Sequence, residues 1–419
     1  MNKRKLIYTA ALTFAAVIVG AIGSACSRDE QNLNPNTEEH DVPPVSAAEE
    51  VRGVWIASVY NINYPSSREL DASALKSEID EIIDCAVESG LNTVCFQARP
   101  SCDALYDSGI FPVSSVISAG RVLPDGFDPL GYIVAKAHSA GIDVIAWINP
   151  LRVTASKADD REAAFAQLSQ ESPAAQHPEY CVFYGGGLWL DPGIPDVRQL
   201  VADGVREIVT SYDVDGVIFD DYFYPYPSDG DIYDDSASYT EFGGGKERGD
   251  FRRENVNELV RLCGETVKNA DADLSFGVSP FGIWRNSSTD PRGSDTAGLQ
   301  AYDTLYCDAL AWIDGGYIDY IAPQLYWSGD NQKASYDILL KWWSDAVKGS
   351  NVKLMISHGT YKISEWNSSD EIARQIAESR MVSSYAGGLH YGYAAIRDDV
   401  LGIKEKLAGL YSPSMSYTD

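Results

Sequence analysis

From Leu75 to Pro100 the chain reads LKSEIDEIIDCAVESGLNTVCFQARP, and its apolar period changes once along the way. Leu75, Ile79, Ile82, Ile83, Ala86 and Val87 recur at helical spacing and predict one buried stripe. Gly90 follows where a helix C-cap favours a left-handed residue. Leu91–Arg99 then runs as a short β-rich segment that ends on polar groups, Gln97-Ala98-Arg99-Pro100. Helix, glycine, strand and polar strand end form a unit, and the unit repeats.

Working outward, β-rich runs are expected at Val51–Tyr60, Leu91–Arg99, Ile142–Pro150, Val214–Asp221, Leu274–Pro280, Ile318–Trp327, Val352–Tyr361 and Gly387–Ala394. Helical patterns fill the gaps, near Leu130–Ser139, Asp196–Ser211, Leu299–Asp314, Ser335–Val347, Asp370–Ser384 and Ile396–Gly409. Another carries Val256, Leu259, Val260, Cys263 and Val267 on one face. Gly141 and Gly349 repeat the cap seen at Gly90. Eight such units with no G-x-G-x-x-G turn favour a single (β/α)8 TIM barrel over a doubly wound sheet. A long acidic, Gly-rich loop, Tyr224–Asp250, follows the fourth strand and is expected to be a wall or lid of the cleft. It lacks the twelve-residue calcium-loop pattern.

The 419 residues hold 33 Lys+Arg against 61 Asp+Glu, a net charge of −28. That balance excludes a nucleic-acid footprint and broad adhesion to anionic lipid. Lys3, Arg4 and Lys5, the apolar run Leu6–Ile22, and Gly23-Ser24-Ala25 before Cys26 read as an export leader. Cys26 is the expected lipidation site of a membrane-anchored lipoprotein, although Gly23 stands where such sites usually carry Leu; an uncleaved anchor helix is the alternative. Residues 27–48 read as a flexible polar tether, 49–411 as the barrel and 412–419 as a tail. The membrane is then touched only through the lipid. Cys85 and Cys263 fall on apolar helix faces. No cysteine pair shows C-x-x-C spacing and the chain has five His, so no metal site is expected. No cofactor motif, phosphate-binding loop or serine elbow is present, so no cofactor is expected.

In a barrel the working groups lie at the C-terminal strand ends. There the sequence places Asp220 and Asp221 after the apolar run Val217-Ile218-Phe219. Alternation lets only one of them point along the barrel axis. Asp220 is the expected catalytic group, and Asp221 its neighbour or orienting partner. Gln97, Asn149 and Gln324 are candidate binders of hydroxyl or acetamide groups; structural amides are the competing reading. Arg99 would hold an anionic group or pair with Asp220. Tyr222, Trp284, Tyr326 and Trp327 are candidate platforms for sugar rings, with ordinary core packing as the competing reading; His358 is a candidate substrate contact or proton carrier, with a hydrogen-bonded structural histidine as the alternative.

Several ordered motifs carry a family resemblance. They are Arg52-Gly-Val-Trp-Ile-Ala-Ser58, Gln97-Ala-Arg-Pro100, Ala146-Trp-Ile-Asn-Pro150, Leu190-Asp-Pro-Gly193, Asp215-Gly-Val-Ile-Phe-Asp-Asp-Tyr-Phe-Tyr-Pro225, Val278-Ser-Pro-Phe-Gly282 and Ile321-Ala-Pro-Gln-Leu-Tyr-Trp327. Over nearly the whole body the chain resembles the bacterial glycosyl-hydrolase-like family 10. That resemblance implies an exported barrel glycosidase, in a family of which some members cleave peptidoglycan strands freed of stem peptides. The expected partner is therefore a glycan polymer, the expected reaction hydrolysis of a β-linked, N-acetylated cell-envelope glycan. A non-catalytic glycan-binding barrel and a glycosidase of dietary or host glycans are the alternatives.

Glycosidases usually need two carboxyl groups. Besides strand four, Asp103, Asp290, Asp295 and Asp330 in other loops are candidates for the second. The spacing Asp215-Gly-x-x-x-Asp220 also resembles chitinase-type enzymes, in which the substrate acetamide attacks. By that likeness Asp220 would orient the acetamide and Asp221 or a loop acid would protonate the leaving oxygen. Those enzymes carry Glu where Tyr222 stands here.

Overall fold

The computed structural model describes residues 49–412. The expected leader with Cys26, the expected tether and residues 413–419 lie outside them. The expected strands appear as β1 (Val51–Ile56), β2 (Thr93–Arg99), β3 (Asp143–Ile148), β4 (Gly216–Phe219), β5 (Ser275–Val278), β6, β7 (Lys353–His358) and β8 (Tyr385–His390). The sixth, β6, is split into Tyr320–Ile321 and Gln324–Leu325 by Ala322-Pro323. Pro323 has no N–H for the ladder, yet its carbonyl still accepts from Ser357 at 3.0 Å. Neighbours pair in parallel, and β8 returns to β1 in the register Val51↔Gly387 to Val54↔His390, closing the (β/α)8 barrel.

Eight principal helices alternate with the strands: α1 (Ala72–Glu88), α2 (Pro129–Ser139), α3 (Pro195–Ser211), α4 (Arg248–Ala270), α5 (Ala309–Gly315), α6 (Tyr336–Val347), α7 (Asp370–Arg380) and α8 (Ile403–Tyr411). In α1 the stripe Leu75, Ile79, Ile82, Ile83 and Ala86 is buried, each large side chain contributing about 1.5–3 kcal/mol. Val87 is not; it lies about 40° further round the helix than Ile83 and is 53% exposed. Asp71 starts α1 by accepting the Ala74 N–H at 2.8 Å, and Gly90, at φ 71°, ends it. The stripe expected from Val256 to Val267 is buried in α4, and Cys85 and Cys263 are buried as small apolar groups.

Two expected helices are broken. Leu299–Asp314 becomes a π-helical turn, Ala301–Leu305, then α5, because Tyr306 adopts a left-handed φ of 56° and Asp308 caps a new start. Ile396–Gly409 divides at Asp399 and Gly402, both at positive φ, before α8 begins.

Alternation along the strands makes two cores. Trp55, Cys95, Ile145, Trp147, Ile218, Tyr320, Met355 and Leu389 fill the barrel axis. Their neighbours Val54, Phe96, Ile148, Phe219 and Ile356 face the helices. Trp55 and Trp147 meet edge to face, 4.9 Å apart, and plug the axis just beneath the C-terminal rim. Among the described residues, no helix is long and apolar enough to cross a membrane.

Candidate active site

Ile218 points into the barrel, so Asp220, two residues on, points the same way at the mouth of β4. It is 4% exposed. Trp147 Nε1 donates to its Oδ2 at 3.0 Å, and Asn149 Nδ2 reaches both oxygens at 3.2 Å. The Tyr222 backbone N–H approaches Oδ1 at 3.4 Å. Burial raises the Asp220 carboxyl to about 7, since lost hydration outweighs the positive charge of Arg152 and the Trp147 donor; the Asp221 charge raises it further. Each hydrogen-bond partner of Asp220 presents an N–H. A proton on Asp220 therefore has no acceptor among those partners and is available to a substrate oxygen.

Asp221, 2% exposed, lies beside it. Its carboxyl is also raised by burial, but the Tyr226 hydroxyl, which donates to Oδ2, and the Gln324 amide oppose the rise. Gln324 in turn donates to the Ser279 carbonyl at 3.0 Å. Around the pair stand half-buried rings. Tyr222 stacks on Trp189 at 6.4 Å, and Tyr326 stacks on Tyr391 at 5.8 Å with Tyr361 edge-on to both. Phe281 bridges Tyr226 and Trp327. The structure thus brings Asp220, Asp221, Asn149, Tyr222, Gln324, Tyr326 and Trp327 to one rim.

Four expected substrate contacts lie elsewhere. Arg99 is turned outward by a β-bulge: Gln97 pairs with Trp147 but Arg99 pairs with Ile148, an outward residue. Its guanidinium sits 3.6 Å from the Phe111 ring centre in the helix layer, fully buried, so it neither meets substrate nor pairs with Asp220. Gln97 is a structural amide whose Oε1 accepts the Ser58 and Val59 N–H groups, both at 2.9 Å. His358 follows inward Met355 by three residues and so faces outward, where Nδ1 meets Gln375 at 3.2 Å; burial lowers it to about 4. Trp284 is a core residue stacked on Trp342 at 5.9 Å.

The four loop acids are engaged or turned away. Asp103 faces Arg121 at 3.7 Å. Asp290 bridges Arg285 and Arg292, Asp330 accepts from Ser328 at 2.6 Å, and Asp295 is exposed. In the loop after β4, Asp235 accepts from Arg248 and Arg252, and Asp231 accepts the Gly185 N–H at 3.0 Å. These contacts tie the loop to α4 and to the hairpin Cys181–Tyr184/Gly187–Leu190, which supports its expected role as a wall of the cleft.

Sequence reasoning missed Trp147, Arg152, Tyr226, Trp189 and Tyr391. Trp147 was within reach, because the parity of Ile145 carries on to it. Tyr391 was too, being two residues past inward Leu389; Arg152, Tyr226 and Trp189 sit outside the barrel strands, where that parity does not reach.

A closed parallel barrel holding buried, proton-binding carboxyls among stacked rings at its C-terminal rim defines a barrel glycoside hydrolase. Comparison with known proteins agrees. Residues 50–373 match the model of the family described as glycosyl hydrolase-like 10, and the chain belongs to that family. Glycosyl hydrolase YngK of Bacillus subtilis (strain 168) is 39% identical over 88% of this chain and 74% of its own length. Glycosyl hydrolase DigH of Escherichia coli (strain K12) is 37% identical over 77% and 76%. Among solved structures, the PgaB (BpsB) glycoside hydrolase domain from Bordetella bronchiseptica superposes with a TM-score of 0.54 at 13% identity, covering 87% of this chain and 99% of that one. Alpha-L-fucosidase isoenzyme 2 from Paenibacillus thiaminolyticus gives 0.53 at 13%, covering 86% and 49%. These two likenesses concern the fold alone.

Proposed function

We propose that the protein hydrolyses β-linked, N-acetylated glycan of the cell envelope, peptidoglycan strands in particular, while held on a membrane surface through a lipid on Cys26. The observation that carries the chemistry is the buried Asp220 carboxyl, poised at about 7 and surrounded by donors. In this reading Asp220 gives its proton to the glycosidic oxygen. Asp221, held by Tyr226 and Gln324, offers negative charge to the sugar as positive charge develops at its anomeric carbon. This reverses the division of labour that the chitinase likeness implied, because the two carboxyls have different hydrogen-bond partners. The tyrosine and amide wall suits N-acetyl sugars: rings pack on C–H faces and acetamide methyls, and N–H or O–H groups meet the carbonyl.

The test is a panel of glycans digested with the purified protein and read by mass spectrometry. Release from peptide-free peptidoglycan strands, with little from mannan or α-linked fucosides, supports the reading. Release from host-type or dietary glycans alone contradicts it. The anchor is tested separately, by acyl labelling of the protein and of Cys26→Ser; equal labelling of both would rule out Cys26 as its site.

A further inference from the structure

Arg152 lies in the loop after β3, where Asn149 Oδ1 accepts its backbone N–H at 2.9 Å. The residue is 8% exposed. Its Nη1 donates to the Pro100 carbonyl at 3.1 Å. The guanidinium carbon stands 4.5 Å from the centre of the Tyr222 ring and 5.9 Å from that of Trp189. Stacking engages the face of a guanidinium and leaves its N–H edge available. Among the described residues the remaining N–H groups of Arg152 have no hydrogen-bond partner, and none of its nitrogens is among the polar atoms sealed in the interior without one. They keep access to solvent beside the Tyr222 and Trp189 rings. Asp220 and Asp221 both feel its charge, yet neither forms an ion pair with it. A cation is thus fixed beside the carboxyl pair with part of its donor edge unclaimed by protein and available to a ligand acceptor.

We infer that Arg152 receives a carboxylate carried by the glycan, and so sets the enzyme's preference for acidic sugars free of amide-linked substituents. The inference rests on the proposed hydrolysis of an envelope glycan at this cleft. Hydroxyl and acetamide groups of a neutral sugar would be met by the Gln324 amide and the tyrosine wall; a guanidinium fork matches a carboxylate. Two sources present this chemistry: the lactyl ether of a muramic acid that has lost its stem peptide, and the ring carboxylate of a uronic acid. In the first case an attached peptide converts the carboxylate to an amide, and the Arg152 contact is lost.

The experiment measures kcat/KM for the full chain on three substrates. They are peptide-free peptidoglycan strands, the same strands with lactyl carboxylates converted to primary amides, and a β-linked polymer alternating uronate with N-acetylglucosamine. Each variant is assayed at its own pH optimum, since removing Arg152 also changes the field at Asp220. The parent is expected to prefer the free-acid strands over the amidated ones by roughly tenfold or more. Arg152→Gln should bring that ratio close to one; Arg152→Lys, which keeps the charge but not the fork, should give an intermediate ratio and carries the comparison if the Gln variant does not fold. Cleavage of the uronate polymer alone, with the same Arg152 dependence, supports the inference and fails the peptidoglycan reading. Equal parent rates on acid and amide strands overturn it. So does an equal loss on both forms in Arg152→Gln, which would mark a general electrostatic role. Inactivity of the parent on every glycan overturns the inference together with the reading beneath it.

Discussion

Trp147 and Asn149 give Asp220 the donors that an ionised carboxylate wants, and burial still lifts it to about 7. An acid with that value is protonated below neutrality and loses its proton as pH rises. The expected profile of kcat/KM therefore falls on its alkaline side with a midpoint near 7, measured across pH 5 to 9 in roughly half-unit steps. Trp147→Phe removes a donor that favours the charged form, worth about 1.5–3 kcal/mol for a bond to a charged group. It should move the alkaline limb up by about 1–2 units. A limb that stays in place would mean that Asp220 is not the titrating acid. Linkage gives a second expectation. The folded-state value lies above the ordinary carboxylate value of 3.8, so the stability Asp220 contributes is present below about 4 and lost as pH rises through about 7. Asp220→Asn escapes that loss. Thermal unfolding should show its Tm gaining on the parent between pH 5 and pH 8, while activity drops by about a thousandfold.

At the scale of elements, the bulge in β2 decides which residues serve the cleft. Up to Gln97 the strand alternates regularly, and period alone places Cys95 in the barrel axis. Past the bulge the side is exchanged, and Arg99 is delivered to Phe111 and α3. No local residue pattern announces that extra residue, which is why the eight strands were legible in the sequence while the role of Arg99 was not. His358 is the hydrogen-bonded structural histidine of the two readings: its outward parity follows from inward Met355, three residues before it. Gly204 in α3 records the consequence of the bulge. A Cβ there would come within 2.3 Å of Arg99 Nη1 and 2.6 Å of the Phe111 ring. Gly204→Ala gains up to about 1 kcal/mol of helix propensity but overpacks a fully buried guanidinium, at about 1–3 kcal/mol. Net destabilisation with unchanged KM is expected from denaturant unfolding and steady-state kinetics. A changed KM would place Arg99 back at the substrate.

For the whole molecule, the barrel follows from a repeated change of apolar period, and the helix breaks at Tyr306 and Asp399 are the departures that periodicity alone does not carry. The site was half legible. Strand-end residues such as Asp220, Asn149 and Gln324 were found because a barrel gathers its strand ends on one rim. Arg152 and Tyr226 were not, because loops bring them there by tertiary packing, whereas Tyr391 follows the inward parity of Leu389 just past β8. The closed barrel, its family and the tyrosine-lined rim describe a glycoside hydrolase, and the chemistry proposed for it rests on one buried acid. The most direct measurement is product release from peptide-free peptidoglycan strands at about pH 6, where Asp220 is largely protonated, followed by mass spectrometry for the parent and for Asp220→Asn. Oligosaccharides from the parent and none from the folded variant are expected. Equal release by both would contradict the assignment of Asp220, and release by neither would contradict the substrate.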